Sequence, residues 1–215
     1  MKILVLSGSN HGFDKSAPVI AAFLSQQPAM QVTVADDKAI LTAPQLNEYD
    51  VCVFGTGFTR SSRQEDGTIK REPDLTPAQE VGLFNFVESG KGLVGIHGTA
   101  WWIGGRAVDL IGGHANWHPP GLTFTVNMEN ANHPITAGVG DFEVEDEIYI
   151  SAYEPTLQIL ASAQWHGRAH PMAWVKNFGQ GRVFYTTLGH TADTFMRPAM
   201  QQLITQGAHW AGSRM

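Results

Sequence analysis

Three histidines in this sequence stand just past short apolar runs. His97 follows Leu93–Ile96 directly, His11 follows Ile3–Leu6 after Ser7-Gly8-Ser9-Asn10, and His190 follows Val183–Thr186 after Thr187-Leu188-Gly189. Imidazole changes charge near neutral pH, so it can move protons, and in its neutral form it binds metals. A single histidine in such a place is most often an ordinary polar loop residue. Three placed alike carry more weight, because open α/β sheets bind ligands beyond the carboxyl ends of their strands. If the three runs are neighbouring parallel strands, their imidazoles meet at one edge. Glu147, preceded by Asp146 and followed by the apolar stretch Ile148–Ile150, could add a carboxylate. His11, His97, Glu147 and His190 are therefore the expected acid–base residues. His11, His97 and His190 are also candidate ligands for a divalent metal such as zinc, although no His-x-x-x-His pair marks one.

Residues that would bind rather than react lie close by in the sequence. Gly98-Thr99-Ala100-Trp101-Trp102 reads as a turn into a helix, whose free amides can hold an anionic or oxyanionic group. Asn10 lies in the turn Gly8–Gly12, which does not match the dinucleotide fingerprint Gly-x-Gly-x-x-Gly. Trp101, Trp102 and Trp117 offer flat apolar faces on which a sugar ring can stack, although core packing explains most tryptophans. With His118 as a fifth imidazole, Asn10, Trp101, Trp102 and His118 form the expected substrate-binding set. Cys52, between Val51 and Val53, reads as a small core residue and not as a nucleophile.

The elements that must position these groups alternate early in the chain. Ile3–Leu6, Val32–Ala35, Val51–Phe54 and Leu93–Ile96 read as buried strands, with helices about Ser16–Gln26 and from Thr76 to Gly90 between them. Thr76 is the expected N-cap of the second helix, Pro77 its first residue and Gly90 its stop. Such alternation implies right-handed βαβ units and a mostly parallel sheet. Later the chain turns strand-rich, at Thr123–Val126, Ile148–Ile150, Leu157–Ala161, Met172–Val175 and Val183–Thr186, and a helix about Phe195–Trp210 closes it. Arg60–Asp74, with eight charges in fifteen residues and no apolar period, reads as a solvated loop or as a lid over the site.

The 215 residues suit one domain spanning 1–215, and 43% hydrophobic residues are enough for a core. With 14 basic against 20 acidic residues and no basic cluster, a nucleic-acid partner is not expected. No apolar stretch approaches the roughly 18 residues of a membrane span, and the first apolar run is too short for a secretory signal. A cytoplasmic protein is the resulting expectation.

Several stretches together resemble the ThuA-like (trehalose-utilisation) family. They are Gly92–Gly98, Leu110-Ile111-Gly112-Gly113 with His118-Pro119-Pro120, Asn132–Gly138 with Glu145-Asp146-Glu147-Ile148-Tyr149, and Pro171–Trp174 with Gly179–His190. His114, where an arginine is commoner, and the Arg60–Asp74 segment depart from the family pattern. The resemblance implies a flavodoxin-like three-layer sandwich with a mostly parallel sheet, of the class I glutamine amidotransferase-like type. In true amidotransferases a cysteine occupies the turn after the central strand. Here that position is His97, and imidazole cannot replace the thiolate that forms a thioester with glutamine.

The resemblance implies a sugar-catabolism enzyme acting on a disaccharide or keto-sugar. Beside a carbonyl, an imidazole or carboxylate could remove the acidified proton, with cationic imidazole or a metal stabilising the enediolate. Isomerase and lyase chemistry share that requirement. Two other classes stay open: a non-catalytic carbohydrate-binding or interaction module, and a metal-dependent hydrolase. The expected partner is a small carbohydrate, and a homodimer would be usual for a small α/β enzyme.

Overall fold

The computed structural model describes residues 1–55, 57–101 and 106–213. Its strands begin with β1 (Lys2–Leu6), β2 (Gln31–Ala35), β3 (Val51–Phe54), β4 (Thr59–Arg63), β5 (Ile69–Pro73) and β6 (Gly92–Ile96). They continue with β7 (Gly113–Trp117), β8 (Leu122–Met128), β9 (Phe142–Asp146), β10 (Ile150–Tyr153), β11 (Gln158–Trp165), β12 (Arg168–Phe178) and β13 (Gly181–Thr186). The α-helices are α1 (Phe13–Leu24), α2 (Pro77–Glu88), α3 (Ala107–Ile111) and α4 (Pro198–Gly212).

Among the described residues, nine strands form one mixed sheet in the order β2-β1-β3-β6-β13-β12-β11-β8-β9. The half from β2 to β13 is parallel and the half from β13 to β9 antiparallel. Parallel pairing thus holds for the alternating part of the sequence, and the strand-rich part extends the sheet through antiparallel neighbours.

The inner parallel strands β1, β3 and β6 are apolar on both faces because both faces are covered. Val32–Ala35, read as a buried strand, lies instead in the exposed edge strand β2, where Val34 is 42% exposed, because an edge strand has a neighbour on one side only. Ile3, Val5, Val51 and Val53 join Ile20, Phe23, Leu203 and Ile204 of α1 and α4 in one core. Leu4, Leu6, Cys52 and Phe54 join Leu83, Phe84, Phe86 and Val87 of α2 in the other. Burying each such Leu, Ile or Phe side chain contributes about 1.5–3 kcal/mol. Cys52 is wholly buried in that second core, and burial pushes its thiol up to about 12.

Helix α2 begins as its sequence requires. Thr76 Oγ1 accepts from the Gln79 N–H at 3.3 Å, the Gln79 side chain accepts from the Thr76 N–H at 2.9 Å, and Pro77 opens the first turn. α1 starts three residues earlier than its apolar spacing implies, directly after the His11 turn. The last helical stretch is split: a 3-10 turn over Ala192–Met196 precedes α4, and Pro198 restarts the helix at its first position.

Two expectations are corrected. Arg60–Asp74 is not an irregular loop: β4 and β5 pair antiparallel around the turn at Asp66-Gly67. Its polarity hides the strands, because a ribbon covering no core needs no apolar alternation. Ile148–Ile150 is not a strand either. β9 ends at Asp146, β10 begins at Ile150, and Glu147, Ile148 and Tyr149 lie between them. β10 then leaves the main sheet and pairs with β7.

Candidate active site

β1, β3, β6 and β13 are consecutive parallel neighbours, so their carboxyl ends share one edge of the sheet. His11, His97 and His190 follow three of these ends. Each offers a ring nitrogen, and the three nitrogens lie within 4.8 Å of one another.

His97 is 1% exposed and has a φ of 43°, in the left-handed region that costs a non-glycine residue about 1–2 kcal/mol. Among the described residues only His11, His97 and His166 share that region outside glycine. His166 has a local reason, since His166-Gly167 is the two-residue turn joining β11 to β12. The other two are imidazoles of the cluster, and strained backbone of this kind gathers at functional sites. Gly98 permits the close approach, because a Cβ there would lie 2.6 Å from the His11 ring.

The strand register orients His97. Ile96 pairs with Thr186, so His97 and Thr187 leave the ladder side by side. His97 Nδ1–H donates to the Thr187 carbonyl at 2.7 Å. Since a carbonyl only accepts, Nδ1 carries the proton and Nε2 faces the cluster. Around Nε2 stand Tyr149 Oη at 2.8 Å, His190 Nδ1 at 3.2 Å and Glu147 Oε2 at 3.4 Å. Tyr185 Oη donates to the His97 carbonyl at 2.8 Å and steadies the turn from behind.

Glu147 is the common partner. Its Oε1 lies 3.4 Å from His190 Nδ1 and 3.4 Å from His118 Nδ1. Burial alone would push its carboxyl up, but hydrogen bonds and charge from His190 and His97 outweigh it and hold the group well below the usual carboxylate range. The same hydrogen bond raises His190, against the opposing effect of burial. His11 goes the other way, lowered to about 4 by burial and then by His97 beside it. Burial, followed by the charges of Tyr185 and Glu147, drives the Tyr149 hydroxyl well above its ordinary value. One imidazole is thus kept neutral and another encouraged to hold a proton. Separation of that kind distinguishes a general base from a general acid.

Asp146 and Tyr149 are site residues that sequence reasoning missed. Asp146, 3% exposed, accepts the Glu147 N–H at 2.8 Å and the His190 N–H at 3.3 Å on Oδ1. Its Oδ2 accepts the Gly189 N–H at 2.8 Å and the Thr194 hydroxyl at 2.7 Å. One carboxylate therefore ties the loop bearing Glu147 to the turn bearing His190. The pair Asp146-Glu147, one residue holding the backbone and the next facing the histidines, is the signal that could have found it.

A pocket of about 410 Å³ opens beside the cluster, with His11 and His118 among its lining residues. Thr59, Ser61 and Arg71 of the β4–β5 hairpin form one wall, and Trp101, His114 and Asn116 form another. The hairpin is thus a side wall of the pocket. A second pocket, of about 280 Å³, touches the cluster at His190 and is lined also by Asp146, Asp193 and Arg197.

The structure brings together His11, His97, Glu147 and His190, with His118 and Trp101 beside them. Asn10 serves differently: its side-chain amide donates to the Thr59 carbonyl and anchors the hairpin's first residue. Trp102 falls outside the described residues. Trp117 is 52% exposed and packs against Trp165 at 5.9 Å between ring centroids, away from the cluster's lining.

The trehalose-utilisation family model, ThuA, matches residues 2–211. No curated protein matches the sequence. Among solved structures, a ThuA-like protein from Parabacteroides merdae superposes with a TM-score of 0.77 at 16% identity, over 99% of this chain and 89% of that one. A ThuA-like protein from Bacteroides uniformis gives 0.76 at 18% identity, over 98% and 91%. A protein described as cytoplasmic, from Salmonella typhimurium, gives 0.69 at 16% identity, over 98% and 99%. At these identities the likeness is one of fold.

Proposed function

Since the chain belongs to the ThuA family, whose description is trehalose utilisation, we propose that it is a sugar-catabolism enzyme acting on a disaccharide or keto-sugar by proton transfer beside a carbonyl. The single observation that carries this reading is the convergence on His97 Nε2 of Tyr149, His190 and Glu147 within 3.4 Å, beside a pocket. A binding module has no need of a buried, strained imidazole among oppositely shifted neighbours.

In this reading the sugar lies in the 410 Å³ pocket, its reacting carbons against His11, which lines it, with the His97 ring 5.3 Å from that of His11. His11, kept neutral by burial, takes the proton from the carbon next to the carbonyl, or His97 takes it at Nε2. His190, held protonated by Glu147, donates a hydrogen bond and then a proton to the carbonyl oxygen as it gains charge. Tyr149 Oη, kept protonated by burial, donates its one proton to His97 Nε2 at 2.8 Å and fixes that ring. Return of a proton to the neighbouring carbon gives an isomer, and loss of a leaving group gives elimination.

The sheet order supports a flavodoxin-like reading of the fold. Numbered by chain order, the parallel strands run 2-1-3-4-5. No helix is long and apolar enough to cross a membrane among the described residues. The Salmonella neighbour's description supports a cytoplasmic reading here.

A metal-assisted version is the second reading, and the donor set fits it. Two ligands about 2.0–2.1 Å from a tetrahedral zinc ion stand roughly 3.3–3.4 Å apart. His97 Nε2 and His190 Nδ1 are 3.2 Å apart, Glu147 Oε2 lies 3.4 Å from the first and Oε1 3.4 Å from the second, and a ring nitrogen of His11 lies within 4.8 Å of a nitrogen of each ring. His97, His190 and Glu147 would hold the ion, His11 would stand beside it, and the Thr187 carbonyl would fix the His97 tautomer. A bound divalent ion would supply Lewis-acid polarisation of the sugar carbonyl.

The test is incorporation of solvent deuterium into 3-keto-disaccharides, followed by NMR with the wild type and with His97→Asn. Exchange in the wild type that the variant loses supports proton transfer. Binding without exchange or conversion, undiminished in the variant, would establish the module instead. Elemental analysis of the purified protein, before and after chelation, separates the two enzymatic versions.

A further inference from the structure

Among the described residues lining the pocket beside the cluster, Arg71 alone carries a fixed charge. The chain carries 20 acidic residues against 14 basic, yet none of the described residues lining this pocket is acidic. Arg71, His114 and Asn116 face it instead, above His11 and His118.

The hairpin accounts for Arg71 being there. In antiparallel pairing, residues directly opposite share a face, and faces alternate along each strand. Ser61 pairs with Arg71 and Thr59 with Pro73, so Thr59, Ser61 and Arg71 lie on one face, and these three line the pocket. Arg60, Lys70 and Glu72 occupy the other face, where Glu72 lies 2.8 Å from Lys70 and 3.7 Å from Arg60. The hairpin therefore settles its outer cations on its own carboxylate. No ion pair involving Arg71 occurs among the described residues. The Asn10 amide ties the hairpin to the turn that bears His11, so the strand that pairs with Arg71 is anchored beside the imidazoles.

We propose that Arg71 binds a carboxylate on the substrate, so that the sugar taken by this pocket is a sugar acid of the uronate type. This rests on the carbohydrate reading of the site. A guanidinium presents paired N–H donors that match a carboxylate's two oxygens, and one cation matches one negative charge. Ser61, opposite Arg71, adds a hydroxyl donor. The neutral ring then extends toward Trp101 and the histidines.

Calorimetric titration of the full chain with methyl glucuronide, methyl glucoside and glucose 6-phosphate tests this, in the wild type, Arg71→Gln and Arg71→Lys. The glucuronide should bind about 10- to 100-fold more tightly than the glucoside, the range for charge-assisted hydrogen bonds. Arg71→Gln should bring the glucuronide down to the glucoside's affinity, and Arg71→Lys should recover part of the preference. Equal affinity for both glycosides, or a preference that survives Arg71→Gln, overturns the proposal while leaving the carbohydrate reading intact. Tighter binding of the phosphate overturns the carboxylate assignment. Failure of every sugar to bind removes the carbohydrate reading and this proposal together.

Discussion

His97 Nδ1 lies 2.7 Å from the Thr187 carbonyl oxygen, and both residues step off paired strands at the same rung. That contact leaves only Nε2 for chemistry and aims it at Glu147, His190 and Tyr149. The consequences below follow from this arrangement and from the carboxylate loop that supports it.

His97→Asn removes the reactive nitrogen while keeping a residue that tolerates left-handed backbone. Turnover of a keto-sugar should fall by about 10²–10⁴, the usual contribution of a positioned acid or base. Thermal unfolding should move little by comparison. Wild-type turnover in this variant would remove His97 from the reaction.

Tyr149→Phe deletes one hydroxyl from the cluster. A net hydrogen bond is worth about 0.5–1.5 kcal/mol, so kcat should drop by roughly 2- to 12-fold. The fold should persist, because Tyr149 is replaced by a residue of the same shape. A loss exceeding three orders of magnitude would instead make the hydroxyl an obligatory acid.

Activity should have two limbs in pH. His11, lowered to about 4, must be neutral, so the acid limb lies near that value. His190 is raised above the ordinary 6.5 and must be protonated, so activity declines above 6.5 as pH passes its folded value. For stability, His11 acts with the opposite sense to His190. As pH falls from 6.5 towards 4, the unfolded chain binds a proton that buried His11 refuses, and stability is lost. Glu147 adds to that loss at lower pH, because its folded value is depressed below 4.5. His11→Asn should flatten the 6.5-to-4 slope in urea unfolding series, and an unchanged slope would refute the assignment.

Asp146→Asn tests the support. The amide cannot accept at both ends as the carboxylate does, so at least one buried N–H or O–H loses its acceptor, at about 1–3 kcal/mol. Urea unfolding should register that loss. Turnover should fall as well, since Glu147 and His190 share this anchor.

Cys52 should be inert. Burial in the core pushes its thiol up to about 12, so Ellman's reagent should not label the native chain but should label it in denaturant. Glutamine should not be hydrolysed at any pH tested, in keeping with an imidazole at the turn where amidotransferases need sulfur.

The sequence alone determined the elements that have a periodic or capping signature. β1, β3, β6 and β13 are apolar on both faces because both faces are covered, and α2 carries its Thr76–Gln79 capping box in its residue types. The placement of His11, His97 and His190 beyond strand ends was legible for the same reason, since a strand's apolar run marks where it stops. Pairings between distant segments were not. The polar β4–β5 hairpin covers no core and so shows no period, and nothing local tells that Arg71 faces a pocket while Lys70 and Glu72 face away. Nor does local sequence reveal that Asp146 gathers donors from Gly189, His190 and Thr194 more than forty residues on. Those relationships depend on strand order and register, which arise when separated segments pack together, and the shared surroundings then set the charge on Glu147, His11 and His190.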